Sequence, residues 1–265
     1  MVLTVLRINL MRKVYLFMLS GIGGIILGAA AGQRIWHPAD SPFSEPDLQK
    51  IVALTFDDGP SARYTPQILD LLKENGVHAT FFVIGRNIVK YPELVKREID
   101  EGHAVGNHTW SHPFFTPFES KKQLFHEITR TDSAIYNAAG VHASLYRAPH
   151  GWCSPWMVKS VEGMGYDVVN WTVDPTDWKH PEANIIVKRV ETSLGKSSII
   201  LLHDGLELKI DPGQENTVQA LREIITDFKA KGYRFVTVTE LLQEPKFAQK
   251  YHAIFNVISE PKRTS

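Results

Sequence analysis

The sequence predicts an α/β domain built on parallel strands, a distorted (β/α) barrel of seven units, with an open doubly wound sheet as the alternative. Three observations predict it. Apolar strand-like runs alternate with helix-like stretches along residues 50–245, and alternation of this kind implies parallel strands joined by right-handed crossovers. Leu221, Ile224, Ile225 and Phe228 recur at the spacing of one helix face, and Leu124, Ile128 and Ile135 do so more loosely. The residues able to carry chemistry fall at the C-terminal ends of the strand-like runs, where (β/α) barrels build their sites, and this placement favours the barrel.

Ahead of the domain, residues 14–32 are apolar or small and uncharged. As a helix they would span about 28 Å, close to the thickness of a bilayer core. Arg7, Arg12 and Lys13 precede them, which places the rest of the chain outside the cytoplasm. Ala29-Ala30-Ala31-Gly32 also suits signal-peptidase cleavage. Residues 1–32 are therefore expected to be a signal peptide or a transmembrane anchor, and the protein extracytoplasmic, either membrane-anchored or secreted. Met11-Arg12-Lys13 would itself make an export-signal start. Pro38, Pro42 and Pro46 mark residues 33–49 as an extended linker. Residues 246–265 read as a C-terminal tail.

With 43% hydrophobic and 22% charged residues, the chain of 265 residues has the composition of a globular domain with one sizeable core. Lys+Arg and Asp+Glu both number 29. The absence of a basic excess or stripe argues against nucleic acid as a partner, and a neutral polymer suits the balance better. The single cysteine, Cys153, excludes an internal disulfide. It reads as a small buried filler rather than a reactive thiol.

Strand-like runs fall at 51–56, 79–84, 104–107, 144–147, 167–172, 198–203 and 235–238. The first ends in Asp57 and Asp58. Two carboxylates at the mouth of a buried strand are costly to desolvate unless something uses them. Asp58 as a metal ligand and Asp57 as the base for a bound water divide that labour. Adjacent strand residues point opposite ways, so the strand end has to bend, and Gly59-Pro60 permits this. The third run leads to His108-Thr109-Trp110-Ser111-His112, where two imidazoles at i and i+4 share a face if the turn is helical. With Asp58 they make a three-ligand set that leaves a position open, the pattern of a catalytic metal site.

After the fourth run, Arg147-Ala148-Pro149-His150-Gly151 sets a guanidinium where it can orient Asp57, in a turn whose backbone N–H groups can face an oxyanion. After the fifth come Asp174 and Asp177-Trp178. The sixth ends in His203, whose protonated form can serve a leaving group. A nearby carboxylate would raise its pKa, with Asp177 the first candidate and Asp174 a competitor. Trp110, Phe114, Phe115 and Trp152 read either as a sugar-stacking rim or as core. The remaining histidines earn no role. His103, although close to the metal loop, reads as a helix-end residue.

Five motifs in this order, TFDDGP at 55–60, HTWSH at 108–112, RAPHG at 147–151, DPTDW at 174–178 and LLHD at 201–204, resemble the polysaccharide deacetylases with the NodB-type domain, carbohydrate esterase family 4. The resemblance covers about residues 50–243. It implies a distorted barrel of the NodB type and a metal-dependent hydrolase that removes N-acetyl groups from N-acetylglucosamine in peptidoglycan or a related glycan. The alternatives are an O-acetyl esterase acting on acetylated xylan and a catalytically silent glycan-binding protein. Carried onto this chain, the resemblance makes Asp57 the base, His203 the acid, Arg147 the residue orienting the base and Asp177 the one tuning the acid. Asp58, His108 and His112 become the ligands of a divalent metal, zinc first, with cobalt or another ion as alternatives. Trp178 and Leu201 match positions lining the acetyl pocket, and the His150 N–H matches the oxyanion donor. His150 itself is a departure, since tyrosine is usual there. A polysaccharide substrate and, through the N-terminal segment, the membrane are the expected partners.

Overall fold

The computed structural model describes residues 50–114, 120–195 and 197–244. The expected N-terminal segment, the linker 33–49, the tail 246–265 and Phe115 lie outside the described residues. Among the described residues no helix is long and apolar enough to cross a membrane.

Among the described residues seven strands make one parallel sheet: β1 (Ile51–Asp57), β2 (Thr80–Val83), β3 (Ala104–Asn107), β4 (Leu145–Tyr146), β5 (Asp167–Val168), β6 (Ser197–His203) and β7 (Arg234–Phe235). The order is β5-β4-β3-β2-β1-β6, and β7 pairs with the start of β1. The sheet curls until the chain beyond β5 meets β6, where Val173 bridges Ile200. This is the distorted barrel expected from the sequence. The helices between the strands are α1 (Tyr64–Glu74), α2 (Gly85–Lys90), α3 (Pro92–Asp100), α4 (Lys121–Ala139), α5 (Pro155–Glu162), α6 (Ala183–Ser193), α7 (Glu215–Ala230) and α8 (Val238–Gln243).

Every residue of β1 is buried, as befits a central strand covered on both faces. Its alternation sorts the core. Val52, Leu54 and Phe56 point outward and pack with Ile68 and Leu72 of α1 and with Leu221, Ile224 and Phe228 of α7. Ile51 and Ala53 point inward and join Phe82, Val169, Ile199, Val236 and Leu241. Burial of each large apolar side chain contributes about 1.5–3 kcal/mol. The inward row continues through Thr55 to Asp57, because side chains on one face recur every second residue. Apolar packing fills the barrel's lower part, and polar groups occupy the mouth.

Four predicted strands are shorter than expected, β2 by one residue at each end. β4 stops at Tyr146 because Arg147 begins the site. β5 stops at Val168, and the next carbonyls, of Val169 and Asn170, accept hydrogen bonds from the Arg147 side chain at 3.2 and 3.3 Å rather than from a neighbouring strand. β7 gives way to α8 at Val238, where Thr237 and Glu240 form a reciprocal capping box.

Candidate active site

The polar residues predicted to act together do converge at the C-terminal ends of the strands. In the β1–β6 ladder Asp57 pairs with His203 and Thr55 with Leu201. Asp58 then turns the chain itself, with φ 74°. The bend that sequence reasoning assigned to Gly59-Pro60 thus starts one residue earlier, in a left-handed conformation unusual for a non-glycine residue. The turn brings both carboxylates into one cleft. Gly205 permits the close approach of the β6 loop: a Cβ there would stand 2.2 Å from the Asp58 carbonyl oxygen. The Glu207 N–H donates to Asp58 Oδ2 at 2.8 Å, and Asn87 Nδ2 donates to the Asp58 carbonyl at 2.9 Å.

The turn carrying the two histidines is not helical, so the condition under which i, i+4 spacing would align the rings is not met. Thr109 and His112 have φ of 69° and 52°, and a loop rather than an i, i+4 helix face brings the rings together. The Asn107 side chain accepts from the Thr109 N–H at 3.0 Å. Glu127, on α4, accepts from the Ser111 N–H at 2.8 Å and its hydroxyl at 3.0 Å. The imidazole centroids of His108 and His112 lie 5.0 Å apart.

The cluster suits a cation. His108 Nδ1 donates to the Arg147 carbonyl at 2.8 Å, since a carbonyl can only accept. In the neutral ring Nε2 therefore carries a lone pair, and it faces Asp58 Oδ1 at 3.4 Å. His112 Nε2 faces the same oxygen at 3.2 Å. That oxygen is buried and has no hydrogen-bond donor among the described residues, an expensive state for a carboxylate. Burial resists charge on Asp58, yet His112 and His108 hold its carboxyl well below the usual range. Burial likewise works against a charged His108, but Asp57 and Asp58 outweigh it and raise the ring. Positive charge is wanted at the point where Asp58, His108 and His112 meet, and one ligand atom from each lies within 4.8 Å of the others. The backbone bond to His108 Nδ1 fixes the ring as such bonds do for metal-ligating histidines.

Arg147 is wholly buried. Its Nη1 donates to Asp57 Oδ1 at 2.6 Å and to Thr55 Oγ1 at 2.8 Å, and the guanidinium lies 4.0 Å over the Phe82 ring. Thr55 in turn donates to the Ile200 carbonyl at 2.7 Å. These bonds fix the orientation of the Asp57 carboxylate.

On the neighbouring strand β6, His203 Nδ1 meets Asp177 Oδ1 at 2.7 Å, and the His203 N–H donates to Oδ2 at 2.8 Å. Thr217, on α7, donates to the same Oδ2 at 3.0 Å. Burial disfavours a charged imidazole, but Asp177 outweighs it and lifts His203 to about 10. Asp174, the competitor, instead accepts the Thr176 N–H at 2.7 Å. The partner of His203 is Asp177.

Trp178 is 36% exposed beside Asp177, and Leu201 is buried. The His150 ring sits edge-on to His112 with centroids 4.6 Å apart. Phe114 is exposed and stacks near-parallel with Trp152 at 6.4 Å. Trp110 packs against the outer core under Arg130 and belongs to no rim. His103 is buried, and its Nδ1 accepts the Ala79 N–H at 3.1 Å. Thr55, Asn107, Glu127 and Thr217 support the site and were not singled out in the sequence. Of these, only Thr55 carried a signal, being two residues before Asp57 and so on the same strand face.

A family model described as polysaccharide deacetylase matches residues 44–169. The peptidoglycan-N-acetylglucosamine deacetylase of Listeria monocytogenes serotype 1/2a is 38% identical over 195 residues, covering 74% of this chain and 39% of that protein. This chain thus spans well under half the length of that relative. A peptidoglycan-N-acetylglucosamine deacetylase of Bacillus cereus is 39% identical over 75% of this chain and 91% of its own. A crystal structure of a peptidoglycan N-acetylglucosamine deacetylase bound to a naphthalenyl benzamide superposes with a TM-score of 0.70, at 38% identity over 76% of this chain and 92% of that one. A family 4 carbohydrate esterase pseudoenzyme from Bacillus anthracis gives 0.67, at 30% identity over 75% and 66%.

Proposed function

This chain belongs to the polysaccharide deacetylase family, and we propose that it is a metal-dependent N-deacetylase of N-acetylglucosamine units in peptidoglycan or a related glycan, releasing acetate. The observation that carries this reading is the pairing of Asp57 with His203 at the shared C-terminal end of β1 and β6, each held by its own buried partner, with the acceptor cluster of Asp58, His108 and His112 beside them.

A divalent cation bound by that cluster, zinc foremost, would polarise the acetyl carbonyl and acidify a coordinated water. Asp57, oriented by Arg147, takes the proton of the attacking water. The His150 N–H is the oxyanion donor as the carbonyl carbon becomes tetrahedral. His203, its Nδ1 committed to Asp177, presents Nε2 to the leaving amine and gives it a proton. Leu201 and Trp178 wall the acetyl methyl. An amine is a poor leaving group without that proton, so the elevated pKa of His203 favours an amide over an ester substrate. An extracytoplasmic glycan agrees with the apolar segment at 14–32 and the basic residues before it.

A silent glycan binder has no use for a buried Arg147–Asp57 pair and a buried Asp177–His203 pair, which are costly to desolvate. The discriminating experiment compares acetate release from N-acetylglucosamine oligomers, peptidoglycan and acetylxylan by the full-length protein. Preference for either of the first two supports the proposal. Preference for acetylxylan makes the protein an esterase, and release from none makes it a binder.

A further inference from the structure

Asp204 follows His203 at the end of β6 and is wholly buried. Its backbone N–H donates to the Asp57 carbonyl at 3.2 Å. Its own carbonyl accepts from Ser61 Oγ at 2.6 Å. Its side-chain Oδ2 accepts from the hydroxyl of Thr65, in the first turn of α1. Thr65 Oγ1 also accepts the Ser61 N–H at 2.8 Å. The same Oδ2 lies so close over Gly59 that a Cβ there would stand 2.1 Å away. Asp204 therefore meets the chain on both sides of Asp58, at Asp57 before it and at Gly59 and Ser61 after it. We propose that Asp204, locked in place by Thr65, is a positioning residue that holds Asp58 in its ligand conformation and Asp57 in its place beside His203.

The Asp58 turn needs such a hold. A non-glycine residue at φ 74° persists only where its surroundings over-determine it. On the β2 side the Ile84 N–H grips the Gly59 carbonyl at 2.9 Å, and Asn87 and Glu207 reach Asp58 itself. On the β6 side the grip is Asp204, and the anchor behind it is a helix rather than a loop. A functional site has to keep its groups within about 0.5 Å of the productive geometry, so a slackened turn spoils the ligand set before it spoils the fold.

The carboxyl works through one oxygen. Oδ2 takes the Thr65 bond, while Oδ1 is buried and has no partner among the described residues. An asparagine amide keeps one acceptor oxygen in the same shape. The role is one of position rather than charge, and Asn can fill it.

This inference rests on the metal-dependent reading of the site. It is tested on the full-length protein, made metal-free, with Thr65→Val, Thr65→Ser, Asp204→Ala and Asp204→Asn. Circular dichroism establishes that each variant is folded. Zinc affinity is measured by equilibrium dialysis, and kcat and KM on N-acetylglucosamine oligomers at saturating zinc. Thr65→Val keeps the branched shape and loses the hydroxyl, so it tests the hold even where Asp204→Ala fails to fold. Thr65→Val is expected to weaken zinc binding by about tenfold or more, the usual effect of losing a group that supports a metal ligand. It also lowers kcat at saturating zinc with KM little changed. Thr65→Ser and Asp204→Asn are expected to restore both. Folded Thr65→Val with the zinc affinity and kcat of wild type overturns the proposal and leaves Asp204 a packing residue. A wild type that binds zinc but releases no acetate overturns the deacetylase reading instead, and a zinc affinity that still falls in Thr65→Val and returns in Thr65→Ser then upholds the positioning role.

Discussion

Asp57 and His203 stand side by side at the last rung of the β1–β6 ladder. Their separation is set by backbone pairing between two seven-residue strands in register along their whole length, so the proposed base and acid stand on rigid elements. Each is then oriented by one buried ion partner, Arg147 for Asp57 and Asp177 for His203. The proposed ligand residues Asp58, His108 and His112 lie on turns just beyond the strands.

Asp57→Asn separates the base from the cation site. Asp57 is turned to Arg147, and the acceptor cluster forms around Asp58. The variant is expected to lose about 10²- to 10⁴-fold in kcat, the usual contribution of a positioned base, with its metal content unchanged. Elemental analysis beside the rate assay checks both halves. Loss of the metal together with activity would make Asp57 a ligand instead.

Asp177→Asn is expected to move the alkaline limb of the kcat/KM profile to lower pH. His203 is active as an acid while protonated, and Asp177 raises its pKa to about 10 from an ordinary value near 6.5. Removing the carboxylate lowers that pKa, so the protonated acid is lost sooner as pH rises. The stability sign is the same. A raised folded-state pKa gives stability that is full below about pH 6.5 and lost as pH rises through about 10. An alkaline limb unmoved by the substitution would remove His203 from the role of acid.

Arg147→Ala leaves a buried Asp57 without its counter-charge and strips donors from Thr55, Val169 and Asn170. Breaking a buried pair by deleting one partner costs about 3–5 kcal/mol, to be read from the midpoint of urea unfolding. Arg147→Lys keeps the charge but cannot reproduce the planar fork, and is expected to regain stability only partly.

Cys153 is half-buried beside the α5 cluster, and burial pushes its thiol up to about 12. The thiolate is the reactive form. Alkylation of the folded protein by iodoacetamide at pH 8 is expected to be slow, and to become fast in urea. Rapid modification of the native protein would contradict a packing role.

The sheet and the chemistry at its rim were legible because both are written in short, local patterns. β1 announces itself as an apolar run closed by Asp57 and Asp58. His108, Arg147, Asp177 and His203 each follow a strand signal. The supporting shell was not legible, since a threonine such as Thr217 or a glutamate such as Glu127 looks like any other polar residue on a helix until the strand it faces is known. The conformation between His108 and His112 was not legible for a related reason. Its i, i+4 spacing fits a helix, but the backbone hydrogen bonds donated to the Asn107 and Glu127 side chains stabilise a loop with Thr109 at positive φ. β4 and β5 were overestimated because their apolar residues continue past the point where Arg147 takes up the carbonyls of Val169 and Asn170.

The most direct measurement is acetate release from N-acetylglucosamine oligomers by the full-length protein in four states: as purified with zinc, after chelation, after zinc is restored, and as Asp57→Asn with zinc. The account predicts release in the first and third states, none after chelation, and a rate about a hundredfold or more lower for Asp57→Asn. Release that persists both without metal and without the Asp57 carboxylate would contradict it.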